Sequence, residues 1–134
     1  MTQEEKELLL KDLCARLPYG VKVKVKYYDD IWKLLTIYTN GTTYTTRDVG
    51  DPIETYFEDC KPYLFPLSSM TEEQKEEYRK VCELDTEILS KHPMDGTPFP
   101  ALYNSQDWLN AHHFDYRGLI PMGLAEDATN KNIY

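Results

Sequence analysis

Residues 20–47 decide the fold, and they read GVKVKVKYYDDIWKLLTIYTNGTTYTTR. Between residues 20 and 28, apolar and lysine residues alternate strictly, which is typical of a half-buried β-strand. A second strand is predicted at 31–39, where both faces carry apolar side chains. The Asn-Gly pair that follows is a strong hairpin signal, because both residues tolerate positive φ, and it leads into a third strand at 42–47. This stretch therefore predicts an antiparallel meander of three strands.

Helices are predicted on both sides of the meander. Thr2 with Glu5, and Thr71 with Gln74, match the capping-box pattern that satisfies the free N–H groups at a helix start. The remaining predicted elements are a helix at 2–16, a short fourth strand at 53–57, an extended segment at 61–66, a helix at 72–90, a long loop at 91–104 and a helix at 106–114.

The element order predicts an α+β fold, with an N-terminal helix, an antiparallel meander of three to four strands, and then C-terminal helices packed on the sheet. The length of 134 residues predicts a single domain over 1–134. We expect the first helix and the helix at 72–90 to supply much of the core. In the first helix, Leu10, Leu13 and Cys14 lie at helical spacing and predict its buried stripe.

Charge and composition exclude several classes of protein. The chain is 41% hydrophobic and 28% charged, which is normal for a globular protein, and its apolar runs are too short to span a bilayer. The net charge of −8 disfavours general binding to nucleic acid or to an anionic membrane. Residues 1–7 are polar and acidic, unlike a signal peptide, so the cytoplasm is the expected location.

The cysteines are odd in number and far apart, so we expect free thiols. Cys14 and Cys82 lie among apolar residues of the predicted helices and are expected to be packed. Cys60 lies in a predicted loop and is expected to be the accessible thiol.

Three segments carry a resemblance to known sequences. They are residues 9–21 (LLKDLCARLPYGV), 61–71 (KPYLFPLSSMT) and 107–120 (DWLNAHHFDYRGLI). Together they resemble a group of small hypothetical proteins from gut anaerobes and their phages or mobile elements. The resemblance implies a phage or mobile-element setting and carries over no catalytic residue.

Aromatic residues give the first functional hypothesis, a non-enzymatic protein that binds a host or phage protein through an aromatic, acidic surface. One face of the second strand, with the third strand, could be an open contact patch unless a helix covers it. A second patch could form around the long loop. The predicted partner-binding residues are Trp32, Leu34, Tyr38, Tyr44, Phe99 and Tyr103. Inhibition of a host defence or regulatory complex fits the implied setting, and self-association is the simplest form of this hypothesis.

Lysines on the first strand give the alternative hypothesis. Lys22, Lys24 and Lys26 share one face, and with Tyr28 they could bind a nucleotide or another small anion and sequester it. The same lysines could instead only keep an exposed strand from pairing with other chains.

A metal-dependent enzyme is the third hypothesis. His112, His113 and Asp115 are its weak metal candidates, because adjacent helical histidines point about 100° apart and cannot easily share one ion. Asp59 and Lys61 faintly match a nuclease pattern, although Lys61 is expected to pair with Glu58. The histidines have a simpler reading, in which His112 packs under Trp108 and His113 faces water. No residue is assigned a catalytic role, and no cofactor is expected.

Overall fold

The structure is a computed structural model, and it describes residues 1–46, 50–91, 96 and 104–134. Its elements follow the predicted order, and the α+β class is confirmed. The helices are α1 (Gln3–Arg16), α2 (Glu72–Ser90) and α3 (Asn104–Ala111), and the strands are β1 (Lys22–Val25), β2 (Ile31–Ile37), β3 (Thr42–Thr46), β4 (Ile53–Tyr56), β5 (Cys60–Pro66), β6 (Phe114–Asp115) and β7 (Glu126–Asp127).

The strands form one sheet in the order β4-β3-β2-β1-β5-β6, and β7 also pairs with β5. The strands from β4 to β5 are antiparallel to their neighbours, whereas β6 and β7 run parallel to β5. The predicted meander is therefore confirmed, and it is extended by β5, which the prolines had indicated only as an extended segment. Pairing between β2 and β3 shifts register between Leu34 and Thr36, so Leu35 is the extra residue of a bulge.

The main core lies between α1 and one face of the sheet, which we name the inner face. Trp32 and Leu34 point into it and are each only 2% exposed. The prediction that these two residues contact a partner is therefore wrong, because α1 and its neighbours already cover them. The buried core residues are Leu9, Leu13, Val21, Val23, Val25, Trp32, Leu34, Phe57 and Cys60.

Helix α1 buries only part of the predicted stripe: Leu13 is buried, whereas Leu10 is half-buried. Asp12 and Arg16 are fully buried, whereas Cys14 is exposed. Arg16 Nε binds Asp12 Oδ2 at 2.9 Å, and Arg117 binds the other carboxylate oxygen at 2.7 Å. Because these charges are paired, the helix can turn them inward together with Leu9 and Leu13.

Helix α2 has the predicted bounds and the predicted capping box at Thr71. It packs mainly on α3, where Tyr78 and Trp108 lie 5.4 Å apart between ring centroids. None of its residues is fully buried, so the expectation that this helix supplies much of the core is wrong. No helix in the described ranges combines the length and apolar character needed to span a membrane.

The thiols also differ from expectation. Cys60 is buried, because it points to the inner face opposite Val25, and its sulfur lies 3.6 Å from the hydroxyl of Thr55. Burial raises the pKa of this thiol. Cys82 is half-buried.

Candidate functional site

The face of the sheet that points away from α1, which we name the outer face, is the main candidate site. Side chains alternate along each strand, so burial of one set on the inner face presents the other set to solvent. No helix in the described part of the chain covers these side chains. The outer face carries Lys22, Lys24, Ile31, Lys33, Leu35, Tyr44, Glu54, Tyr56 and Lys61.

Exposed apolar side chains extend along β2 and onto the edge strand β4 of the outer face, and we name them together the apolar patch: Ile31, Leu35, Tyr38 and Tyr56. Ile31 and Leu35 are each 43% exposed, and both tyrosines are more exposed than that. Tyr38 stacks edge-on against Tyr44 with 5.6 Å between ring centroids. The hydroxyl of Tyr44 donates to Glu54 at 3.1 Å, which fixes this pair of rings on the surface.

The predicted partner-binding residues are divided between the outer face, the buried core and a part of the chain that the structure does not describe. Tyr38 and Tyr44 lie on the outer face as a contact surface requires, and Trp32 and Leu34 lie inside. Phe99 and Tyr103 fall outside the described residues. Sequence reasoning missed Ile31 and Leu35, although the apolar side chains on both faces of the second strand were the signal that could have found them.

The predicted lysines meet a lysine from another strand at one end of the outer face. Lys24 on β1 lies directly opposite Lys61 on β5. They line a groove of about 440 Å³, which we name the lysine groove. Its lining residues are Lys24, Lys26, Tyr27, Glu58, Asp59, Lys61 and Glu126.

Two lining acids of the lysine groove have lysine partners. Glu126 lies 3.7 Å from Lys24, and Glu58 lies 3.5 Å from Lys6. The expected pairing of Lys61 with Glu58 is therefore wrong, because α1 brings Lys6 to Glu58 instead. Within the described residues, Lys61 has no ion pair within 4 Å.

Lys22 and Tyr28 do not line this groove. The ammonium of Lys22 donates to the carbonyl of Ile133 at 2.7 Å, so this lysine is held by the last residues described. Tyr28 packs edge-on against Trp32 with 5.5 Å between ring centroids. Of the predicted ligand-binding set, the structure brings Lys24 and Lys26 into the lysine groove and leaves the other two outside.

Tyr27 stands at the edge of the lysine groove in an unusual backbone conformation. The N–H of Tyr28 donates to the carbonyl of Val25 at 3.0 Å, which closes a tight turn after β1. Tyr27 has a φ of 73° in this turn, where glycine or asparagine is the ordinary choice. Its ring is 90% exposed and lies 5.2 Å from the ammonium of Lys26. A second groove, of about 390 Å³, lies beside it and shares Lys26, Tyr27 and Asp59.

The predicted metal candidates His112 and Asp115 each make other contacts in the structure. His112 stacks on Trp108 at 4.0 Å between ring centroids, as the simpler reading predicted. Asp115 accepts hydrogen bonds from the N–H groups of Leu119 and Ile120, each at 2.9 Å. Among the described residues, no group of three or more potential ligands could hold a metal ion.

His113 is buried, so the prediction that it faces water is wrong. Its ring stacks on Tyr134 with 3.5 Å between centroids, and its Nδ1 has no hydrogen-bond partner among the described residues. Burial and the nearby cations of Arg16 and Lys22 lower the pKa of His113 to about 4. The imidazole is therefore neutral at physiological pH and packs as an aromatic ring.

The hydroxyl of Tyr134 joins two strands. It accepts a hydrogen bond from the N–H of Lys22 at 2.9 Å and donates to the carbonyl of Tyr63 at 2.8 Å. Burial raises the pKa of this phenol. Tyr134 therefore supplies hydrogen bonds that strands β1 and β5 do not make with each other at this point.

Comparison with protein families, with curated proteins and with solved structures finds no match for this chain.

Proposed function

We propose that this protein is a non-enzymatic interaction protein that binds a protein partner through the outer face of its sheet. The apolar patch is the observation that carries the proposal. Four large apolar side chains on one face of the sheet are 43% to 62% exposed, and exposed apolar surface of this kind marks contact sites in globular proteins. Tyrosine is also enriched at protein interfaces, because one end of its ring is apolar and the other can hydrogen bond.

Charge around the apolar patch indicates the chemistry of the partner. Lys24, Lys33 and Lys61 are exposed on the same face, so a partner that contacts it would bring acidic side chains. A second copy docked face to face would place lysines against lysines, which is unfavourable. We therefore propose a different protein with an acidic rim around an apolar centre.

The two titratable groups with the largest displaced pKa values support a binding role rather than a catalytic one. His113 is buried and stacks on Tyr134, whose ring is partly exposed and whose hydroxyl is held between β1 and β5. Displaced pKa values suggest catalysis when the groups face a cleft, whereas these two contribute to packing. A phage or mobile-element setting, and inhibition of a defence or regulatory complex, remain predictions from the resemblance.

Aspartate substitutions in the apolar patch test the proposal. The variants Ile31→Asp and Leu35→Asp place a charge at positions that are already exposed, so the fold should tolerate them. Leu84→Asp is the matched control, because Leu84 is similarly exposed but lies on α2. Each protein would be used to capture partners from a host lysate, and the binding of any captured protein would be measured with purified components.

The proposal predicts a partner that binds the native protein and the Leu84→Asp variant but loses at least about tenfold in affinity for the two patch variants. Its affinity should also fall with added salt, because lysines contribute. A partner that binds all variants equally would contradict the proposal. Light scattering tests self-association. If the native protein forms a dimer that Leu35→Asp dissociates, the patch binds a second copy of this chain, and the proposal of a different protein partner is wrong.

A further inference from the structure

We propose that the lysine groove binds a nucleotide, with its phosphates on Lys24, Lys26 and Lys61 and its base stacked on Tyr27. This site lies at the β1–β5 end of the outer face, beside the apolar patch. It does not depend on the proposed protein partner: Lys24 and Lys61 border both sites, but the nucleotide site is tested at Lys61 and Tyr27 and the partner site at Leu35.

The lysines supply the first argument. The register of β1 and β5 places Lys24 and Lys61 directly opposite each other. Like charges in that position repel, and this costs stability in the absence of an anion between them. Lys26 follows two residues later on the same strand edge and lines the same groove. Three ammonium groups around one groove match the several negative charges of a phosphate chain.

Tyr27 supplies the second argument, because neither backbone preference nor packing explains it. A bulky residue at φ 73° is strained relative to glycine or asparagine at the same turn position. Tyr27 is 90% exposed, so packing against the rest of the chain does not offset this strain. A ring held open beside three lysines is suited to stacking with a flat base, as aromatic side chains do in nucleotide-binding proteins.

Three acids, Glu58, Asp59 and Glu126, also line the lysine groove, so phosphates bind only where the three lysines outweigh them. The pair between Lys24 and Glu126 is long at 3.7 Å and partly exposed, and such pairs contribute little to stability. A phosphate can therefore replace Glu126 as the partner of Lys24. Glu58 is paired with Lys6 outside the lysine cluster. The groove volume of about 440 Å³ is within the range of small-molecule sites.

Equilibrium dialysis of the full chain tests the proposal with three probes. ATP carries both the base and the phosphates, adenosine carries only the base, and tripolyphosphate carries only the anion. We expect saturable binding of ATP at millimolar or lower concentration and binding at least about tenfold weaker for each of the other two, because stacking and charge each contribute.

Four variants assign the binding to the groove. Lys61→Gln should weaken ATP binding, whereas Lys33→Gln is the control, because Lys33 lies on the same face but does not line the groove. Tyr27→Asn should weaken ATP binding about tenfold without lowering the urea midpoint, since asparagine tolerates the turn conformation. Glu126→Gln should strengthen ATP binding, because it releases Lys24.

Several results would overturn the proposal. These are absence of saturable ATP binding at millimolar concentration, equal affinity for tripolyphosphate, and equal effects of Lys61→Gln and Lys33→Gln. Tighter binding of a single-stranded oligonucleotide than of ATP would also overturn it, since the groove would then be part of a nucleic-acid surface. Leu35→Asp should leave ATP binding unchanged, because Leu35 lies farther along β2 and does not line the groove, whereas Ile31→Asp places a carboxylate opposite Lys24 and does not serve as this control. Leu35→Asp therefore distinguishes failure of the protein-partner proposal from failure of this one.

Discussion

Protonation of His113 should destabilise the fold as the pH falls. The imidazole is buried, stacks on Tyr134 and lies near the cations of Arg16 and Lys22. A positive charge placed there would lose hydration and meet like charges. The folded protein therefore holds His113 neutral under conditions in which the unfolded chain binds a proton.

The magnitude follows from the displaced pKa. His113 titrates at about 4 in the folded protein and at its ordinary value of 6.5 when unfolded. Above pH 6.5 neither the folded nor the unfolded state binds the proton, so His113 does not lower the free energy of unfolding. Between 6.5 and 4 only the unfolded state binds it, so the free energy of unfolding falls as the pH falls. At about 1.4 kcal/mol for each pH unit, the full loss is about 3 kcal/mol.

Urea unfolding followed by tryptophan fluorescence, repeated from pH 7.5 to pH 4, measures this loss. The variant His113→Phe keeps an aromatic ring against Tyr134 and cannot titrate. Its free energy of unfolding should therefore fall by about 3 kcal/mol less than that of the native protein over the same range. His112→Gln is the matched control, because it retains His113 and removes a neighbouring imidazole that contributes less than burial to the lowered pKa of His113.

Parallel pH curves for the native protein and His113→Phe would refute this reasoning. They would mean that His113 is protonated in the folded protein at pH 5, with water or a carboxylate beside it. Loss of the pH dependence in His112→Gln rather than in His113→Phe would refute it equally.

Three further predictions concern the polar contacts and thiols of the fold. Arg16→Met should lower the free energy of unfolding by about 3–5 kcal/mol, because the buried carboxylate of Asp12 loses a charged partner, and a loss below about 1 kcal/mol in urea unfolding would contradict this. Tyr134→Phe should cost about 1–3 kcal/mol in the same assay, because the N–H of β1 and the carbonyl of β5 lose their shared hydroxyl, and an unchanged midpoint would show that they find other partners. A thiol reagent should modify exposed Cys14 at once and buried Cys60 only as fast as the protein opens, and equal rates in the folded state would contradict the assigned burial.

Local signals made much of the fold predictable. Strict alternation in β1, the Asn-Gly turn before β3 and the capping boxes at Thr2 and Thr71 each act over a few residues. The structure confirms each of these elements within a few residues of its predicted bounds. These elements depend on residues that are adjacent in the chain, so the sequence alone is enough to predict them.

Contacts between distant residues account for the errors. In the sequence, Asp12 and Arg16 are charged and therefore expected at the surface. Their burial is stabilised by their own ion pair and by the contact of Asp12 with Arg117, which lies far away in the sequence. Cys60 appeared to lie in a loop because its strand forms only by pairing with β1. The parallel pairing of β6 and β7 with β5 had no local signal at all.

The candidate site shows the same division between local and distant information. The lysine alternation on β1 was visible in the sequence, but Lys61 joins it through strand pairing. The apolar patch could be predicted only as one of two faces of the second strand. Which face is exposed depends on where α1 packs. The side of α1 that packs on the sheet includes the charged residues Asp12 and Arg16, which a sequence pattern assigns to the surface.

The bridge made by Tyr134 has a consequence for the order of events during synthesis. Its hydroxyl binds Lys22, which precedes it by 112 residues, so this bridge forms only after residue 134 has left the ribosome. The hairpins of β1 to β4 need no such delay, because their partners are close in sequence. Strands β1 and β5 can pair with each other before Tyr134 is in place, because their backbone register does not involve it. A chain that lacks Tyr134 would therefore form its sheet but leave the N–H of Lys22 and the carbonyl of Tyr63 without this partner.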